Sequence, residues 1–323
     1  MSELARRWRH RLGYPALRAV LAAARLMPLS RLRALGGGLG SLALAGSRKQ
    51  RRRALAHLAL AFPERDAAWR EAVVSACARH LGTLLGEVAW LWSAKPAAIL
   101  ARTEFVGLDN FTGCVGAERG AMVITGHCGN WEWLNLALGA IGYPLTVAAR
   151  EVFDPRLDEL ARRLRGRFGG DTALRGRGAG AKLVAAVRSG GSLGLLIDQD
   201  IDAPGVFVEF FGHPAWTPSG AALLAIRTGA PMVPIFATRL ADGRMRVAVA
   251  APVLTGDAEP DDADVARLTA LLTSHIEGQI RAHPEQWVWL HKRWRHQPGD
   301  GDTVWRADGP IAAAANTERA ELG

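Results

Sequence analysis

From Ala121 onward, short apolar runs alternate with stretches of helical periodicity, and few architectures accept that order. Strand, helix, strand in succession is the pattern of a largely parallel sheet covered by helices on both faces. The runs at residues 121–125, 145–149, 193–198 and 232–238 read as buried strands, with 244–253 a further, edge-like one. Helices fit between and after them at 131–141, 154–168, 179–189, 218–228 and 262–282, the last with Asp262 as a cap. Upstream, residues 53–62 and 67–92 read as helices parted by the turn Pro63-Glu64-Arg65-Asp66, where Asp66 can serve as N-cap. The expected fold class is therefore α/β, a mostly parallel sheet flanked by helices. No internal repeat is visible.

Ahead of this pattern lies a basic segment. Residues 1–53 carry thirteen Lys or Arg against one acid, Glu3, so the formal net charge of +9 comes wholly from this end. Its apolar runs are either broken by Arg18 and Arg25 or shorter than the roughly 20 residues that a membrane span needs. A helical basic extension lying in the headgroup region of an anionic leaflet fits better, and a soluble helix with a solvated basic face is the plainer reading. No secretory signal is apparent, and Cys77, Cys114 and Cys128 are too few for a disulfide framework and lack a zinc spacing. A place on the cytoplasmic face of the inner membrane, peripheral or monotopic, is expected. Positive charge confined to one apolar-interleaved end disfavours nucleic acid as a partner. After Pro298 the chain is rich in Gly, Asp and Ala, so 298–323 reads as a poorly ordered tail.

The most reactive stretch is Ala121-Met-Val-Ile-Thr-Gly-His-Cys-Gly-Asn-Trp-Glu-Trp133. Residues 126–129 form a turn, and Asn130 can cap a helix that begins at Trp131. Two residues five apart on one helix would point about 140° away from each other, so His127 must precede the helix. From the loop its imidazole can be met by Glu132 in the first helical turn, where the helix dipole also favours a carboxylate. Such a pair fixes the tautomer and leaves the second ring nitrogen to take a proton, a contribution of about 10²–10⁴-fold. Backbone amides at Gly129 and Asn130 are candidates for an oxyanion site.

With that loop the chain resembles the glycerolipid acyltransferase superfamily, whose signature is His-x4-Asp/Glu after a strand, and within it the late acyltransferases of lipid A biosynthesis. Further matching runs follow in order: Ala149-Arg150, Leu196-Ile-Asp-Gln-Asp200, Gly205-Val-Phe-Val-Glu-Phe-Phe-Gly212, Thr217-Pro-Ser-Gly220, Gly229-Ala-Pro-Met-Val-Pro234, Arg239 and Pro284-Glu-Gln-Trp-Val-Trp-Leu-His-Lys-Arg-Trp294. The resemblance covers about Arg52 to His296, and Glu209 departs from its commoner Val-Pro-Phe-Phe-Gly run. It implies a glycerol-3-phosphate-acyltransferase-like domain over residues 54–297. It also implies transfer of a fatty acyl group from acyl carrier protein, or coenzyme A, to a hydroxyl of a glycolipid such as a lipid A precursor. His127 is then the base and Glu132 its orienting partner. A lysophospholipid or other glycolipid is the alternative acceptor, and an inactive lipid-binding peripheral protein the alternative to an enzyme. No metal or redox cofactor is implied.

Other residues keep two readings. Arg150 belongs to the active-site set that the resemblance implies, and its fork of donors suits a phosphate, or it pairs with Glu151 or Asp154. Asp198, Gln199 and Asp200 end a strand where ligands bind, orienting the base or the acceptor sugar, or simply capping a loop. Phe210, with Phe207 and Phe211 in the loop before Gly212, is a wall for an acyl chain or plain core. Arg239 is a second anion-binding candidate. The Trp287 to Trp294 cluster sits at a headgroup interface or braces the fold. Cys128 as nucleophile is disfavoured, since its neighbour His127 points the opposite way and a base normally comes from a distant segment. Gly176-Arg-Gly-Ala-Gly180 lacks the Gly-Lys-Ser/Thr ending of a phosphate loop.

Overall fold

The computed structural model describes residues 14–311 apart from 16, 117–119, 151–153 and 175–177. After a helical stretch at residues 17–24 come α1 (Leu29–Ala45), α2 (Arg48–Ala61) and α3 (Ala67–Leu91). Then follow β1 (Thr103–Val106), β2 (Met122–Thr125), α4 (Trp131–Ala140), β3 (Leu145–Ala149), α5 (Pro155–Arg165), β4 (Asp171–Leu174), α6 (Ala179–Arg188) and β5 (Ser192–Leu196). The remainder is β6 (Gly205–Phe210), β7 (His213–Pro218), α7 (Gly220–Thr228), β8 (Met232–Arg239), β9 (Met245–Val249), α8 (Asp262–Ala282), β10 (Val304–Arg306) and β11 (Gly309–Ile311).

The main sheet has seven strands in the order β1-β9-β8-β2-β5-β3-β4. Its run from β8 to β4 is parallel throughout, while β9 is antiparallel to β8 and β1 runs with β9. The expected α/β class is what the chain adopts. Strand β2, buried at all four residues, lies at the centre between β5 and β8. Its C-terminal end is therefore the place where the loops from three strands converge. One expectation is corrected here: the strand near residue 245 is not an edge, because Thr103–Val106 pairs outside it.

Helix ends follow the capping chemistry of the sequence. Asp66 accepts from Trp69 N at 2.7 Å and Asn130 from Trp133 N at 2.9 Å. At α8 the cap is Asp261, one residue ahead of the Asp262 expected. Helices α1 and α3 pack backbone to backbone through glycines: a Cβ at Gly82 would lie 2.0 Å from the carbonyl oxygen of Gly36. Only glycine permits that approach.

A second sheet, β11-β10-β6-β7, holds two corrections. The stretch before Gly212 is a hairpin rather than a loop, turned by Phe211 and Gly212, both with positive φ (55° and 76°). The tail expected to be poorly ordered pairs Val304 with Phe207 and Trp305 with Val208, so two apolar residues recruit it to the sheet. The expectations for residues 1–13, 312–323 and Glu151 lie outside the described residues. Among the described residues no helix is long and apolar enough to cross a membrane.

Candidate active site

The loop leaving β2 is squeezed between neighbours on both sides. A Cβ on Gly126 would come 3.0 Å from Asp198 Oδ2, and one on Gly129 would sit 1.9 Å from the carbonyl oxygen of Ala237. Gly129 also has φ +58°, the left-handed region. These glycines let His127 approach Asp198 closely. His127 N donates to Asp198 Oδ2 at 2.7 Å and His127 Nδ1 bonds to Oδ1 at 2.8 Å. Trp287 Nε1, fully buried, donates to Oδ2 at 2.8 Å.

Burial by itself would raise the Asp198 carboxyl, but His127 and Trp287 outweigh it and hold the group well below the usual carboxylate range. An ionised carboxylate only accepts, so the proton on the His127 ring sits on Nδ1 and Nε2 keeps its lone pair. Gln199 Nε2 lies 3.4 Å from that second nitrogen, and the Trp131 ring centroid 4.9 Å from the imidazole. The His127 side chain is 22% exposed while that of Asp198 is sealed. Such an arrangement can work as a base with its orienting carboxylate.

Glu132 is not that carboxylate. It bonds instead to Arg165, with Nη2 at 2.5 Å and Nε at 3.0 Å from Oε1. Glu132 is nearly buried, so its charge needs a cation, and the last turn of α5 supplies one. The pair lines a notch with Thr125, Trp131 and Leu196, over the ends of β2 and β5. Arg165 carries no sequence mark, being one of several arginines on α5.

Three further assignments are corrected. The Arg239 guanidinium is not an anion site, because Nε and Nη2 bond to Glu87 at 2.6 and 2.7 Å and Nη1 to His80 Nδ1 at 2.9 Å. Glu87, fully buried, also accepts from Arg33 Nε at 2.7 Å and from Asn130 Nδ2 at 2.8 Å. Burial would raise this carboxyl, and Arg239, Arg33 and Asn130 reverse the direction. His80 completes the brace by bonding through Nε2 to the Gly129 carbonyl at 3.1 Å. Nor are the amides of Gly129 and Asn130 free for an oxyanion: they donate to Gln286 O at 2.7 Å and Ala237 O at 2.9 Å. Phe210 is core, fully buried against Phe211, Trp287 and Trp294 rather than facing a cavity.

The remaining candidates fall around the same strand ends. Arg150 is exposed at the end of β3. Asp200 belongs to a different histidine, with His296 Nδ1 at 2.5 Å and His296 N at 2.7 Å, and Arg295 at 3.4 Å. The tryptophan cluster braces the fold: Trp287, Trp289 and Trp294 are buried, and Arg293 spans from Trp216 O to Thr217 Oγ1 at 2.6 Å each. Cys128 is buried, and burial pushes its thiol well up, against a nucleophilic role.

The chain matches the model of a family described as bacterial lipid A biosynthesis acyltransferase over residues 6–296. It is 28% identical to the lipid A biosynthesis palmitoleoyltransferase of Escherichia coli (strain K12) over 268 residues, 82% of this chain and 85% of that protein. The lipid A biosynthesis lauroyltransferase of the same organism is 28% identical over 271 residues, with the same shares covered. A phosphatidylinositol mannoside acyltransferase of Mycolicibacterium smegmatis is 27% identical over 195 residues, 59% of this chain and 62% of that protein.

Proposed function

The chain belongs to the bacterial lipid A biosynthesis acyltransferase family, and from that premise we propose that it moves a fatty acyl group from a thioester to a hydroxyl of a lipid A precursor, with His127 as the base. The bond from His127 Nδ1 to Asp198 carries this reading, because it leaves Nε2 as the proton acceptor. The acceptor hydroxyl passes its proton to Nε2 as its oxygen attacks the thioester carbonyl. The tetrahedral intermediate then collapses, the carbon–sulfur bond breaks, and the departing thiolate takes the proton back as a thiol. One ester forms and the imidazole returns to its starting state.

Gln199 holds the position that the hydroxyl must take and yields it when the acceptor binds. The first-turn amides of α4, at Trp131 and Glu132, point from the helix N-terminus and supply donors for the oxyanion. Glu132 and Arg165, in the notch over the ends of β2 and β5, orient the acceptor, and Arg150 at the end of β3 takes a phosphate of acceptor or donor. The donor is acyl carrier protein, an acidic partner that a basic surface can steer, with coenzyme A second.

The enzyme works as a peripheral or monotopic protein on the cytoplasmic face of the inner membrane. Leu35, Leu39 and Leu42 on α1 recur at helical spacing and are 56%, 66% and 70% exposed, beside Leu85 of α3 at 67%. Arg48, Lys49, Arg51 and Arg52 stand exposed on the adjoining α2, which fits an apolar stripe entering an anionic headgroup layer.

The test is transfer of labelled acyl groups from acyl carrier protein and from coenzyme A to a panel of lipid acceptors. Wild type should acylate a lipid A precursor, and folded His127→Ala and Asp198→Asn should lose most of the rate. Absence of turnover with every donor and acceptor would favour a lipid-binding protein without activity. Flotation with anionic and neutral vesicles checks the membrane reading, which fails if neither vesicle carries the protein.

A further inference from the structure

Among the described residues three donors reach the carboxylate of Asp198: the backbone N–H and Nδ1 of His127, and the indole of Trp287. The backbone N–H and the indole both go to Oδ2, at 2.7 and 2.8 Å, which leaves Oδ1 for the imidazole. Two bonds on one oxygen, from different segments of the chain, fix the plane of the carboxylate. They thereby fix the line along which Nδ1 meets Oδ1.

The indole can do this because its own segment is held on three sides. Trp287 is extended and pairs with Cys128 of the catalytic loop as an antiparallel bridge, and the neighbouring carbonyl of Gln286 accepts from Gly129 N at 2.7 Å. The Gln286 side chain takes both backbone groups of Arg239 at the end of β8, each at 2.9 Å, and the Cys77 thiol of α3 donates to Trp287 O at 3.0 Å. The ring packs edge-on against Trp289, His291 and Phe210, with centroids 4.6, 4.9 and 5.7 Å away. A ring with no exposed surface, enclosed in this way, keeps one rotamer.

No other side chain near Asp198 takes over the task. Both ring nitrogens of His291 are sealed from solvent and bond to nothing among the described residues, and burial pushes this histidine down to about 3, so it stays neutral. Arg293 acts on Asp198 through space alone, since its bonds go to Trp216 O and Thr217 Oγ1. Burial keeps the Cys128 thiol neutral, and around His127 itself Trp131 and Gln199 carry no charge.

We propose that Trp287 is a positioning residue for the transfer: its indole N–H aligns Asp198 with His127 and draws charge from the carboxylate, so that the base is held in one orientation and its strength is moderated. This role rests on the acyl-transfer reading above and adds to it a residue that acts through Asp198.

Trp289 supplies the matched control. It is as fully buried, lies two residues on, and donates its own indole N–H to Pro284 O at 2.7 Å, away from Asp198. Phenylalanine at either position removes an indole N–H and leaves a cavity, so the two variants should lose stability alike in denaturant titration. Only Trp287→Phe should change the chemistry, with kcat falling by roughly 10- to 100-fold and KM for donor and acceptor nearly unchanged. The acid limb of its pH–rate profile should also move to higher pH, by roughly half a unit or more, because the carboxylate without the indole holds the protonated imidazole more firmly. Trp289→Phe should keep the wild-type limb. Should Trp287→Phe fail to fold, benzothienylalanine placed at position 287 through an amber codon keeps the size of the ring and trades the N–H for sulfur. It should show the same fall and the same shift.

If wild type turns over in a His127-dependent way and the folded Trp287 variant keeps the wild-type kcat and acid limb, the role assigned to the indole is wrong. Equal shifts in Trp287→Phe and Trp289→Phe would overturn it too, since they report a general loosening of the segment. If wild type transfers nothing from any thioester, or His127→Ala transfers as fast as wild type, the acyl-transfer reading itself fails and this role falls with it.

Discussion

Asp198 and Asp200 stand two residues apart beyond the end of β5, and each grips a histidine by the same two bonds, backbone N–H to one oxygen and Nδ1 to the other. The surroundings of the two histidines nonetheless differ. The far nitrogen of His127 faces the amide of Gln199. That of His296 lies 3.9 Å from a second carboxylate, Asp202, so this imidazole fastens the C-terminal segment to the loop at 200–202. A histidine bound to an aspartate is thus not by itself a base. What stands opposite the second nitrogen decides.

Matched substitutions are the strongest way to break this comparison. Asp198→Asn should lower turnover on the order of 10³–10⁴-fold, because an amide can donate to Nδ1 and drive the proton onto the nitrogen that must accept one. Asp200→Asn should cost only a few-fold. Steady-state acyl transfer measures both, and equal losses would give His296 a chemical role and erase the distinction drawn here.

The two pairs also rest on different ground, which stability measurements sharpen. Behind the His127 loop lies Glu87 with Arg33, Arg239 and Asn130, all within hydrogen-bond reach of a carboxylate with no exposed surface. Glu87→Ala leaves two largely but not fully buried arginines uncompensated and should destabilise the fold by about 3 kcal/mol in denaturant titration. Beside the His296 pair, Arg295 is partly exposed between Asp200 and Asp202. Arg295→Ala should leave the unfolding midpoint where it was.

Acid should attack the same foundation. His80 is pushed down to about 3 by burial and then by Arg239, and His57 to about 4 by burial. The unfolded histidines take protons near pH 6.5 while the folded ones do not, so stability falls as pH drops from about 6.5 toward the folded values. Each contributes a loss of about 1–2 kcal/mol by pH 5. The melting temperature should therefore fall between pH 7 and pH 5, and His57→Gln should flatten the dependence. A melting temperature level across this range would mean that these histidines are not buried as neutral groups.

The legible and illegible parts of the sequence divide along the same lines. The alternation after Ala121 was enough for the parallel sheet, and the turn before Asn130 was enough to place His127 ahead of its helix, since both rest on neighbours in sequence. The partner of His127 was misread because it is 71 residues away. Register alone brings it close, Thr125 pairing with Leu196 across β2 and β5. Glu132 is near in sequence, but Arg165, 33 residues on, holds it. Arg239 and Phe210 share this cause: a charge or a ring at a strand end reads as exposed until the element that covers it is known. Strands β1 and β4, four residues each, and the β6–β7 hairpin, turned by a phenylalanine in the left-handed region, gave no local signal.

The smallest effect expected is also the most selective. His296 and Arg295 hold Asp200 and Asp202, and the loop they fasten begins at Gln199, the residue beside His127 Nε2. Releasing that loop should free Gln199 while the bond between Asp198 and His127 persists, because Trp287 and the backbone of His127 still hold the carboxylate. His296→Ala should therefore raise KM for the lipid acceptor by a few-fold, with a smaller change in kcat, and make the stretch 199–204 easier to cleave by protease. A fall in kcat without a change in KM would instead place His296 among the groups that act on the reacting atoms, and the two aspartates would have to be read as parts of one site.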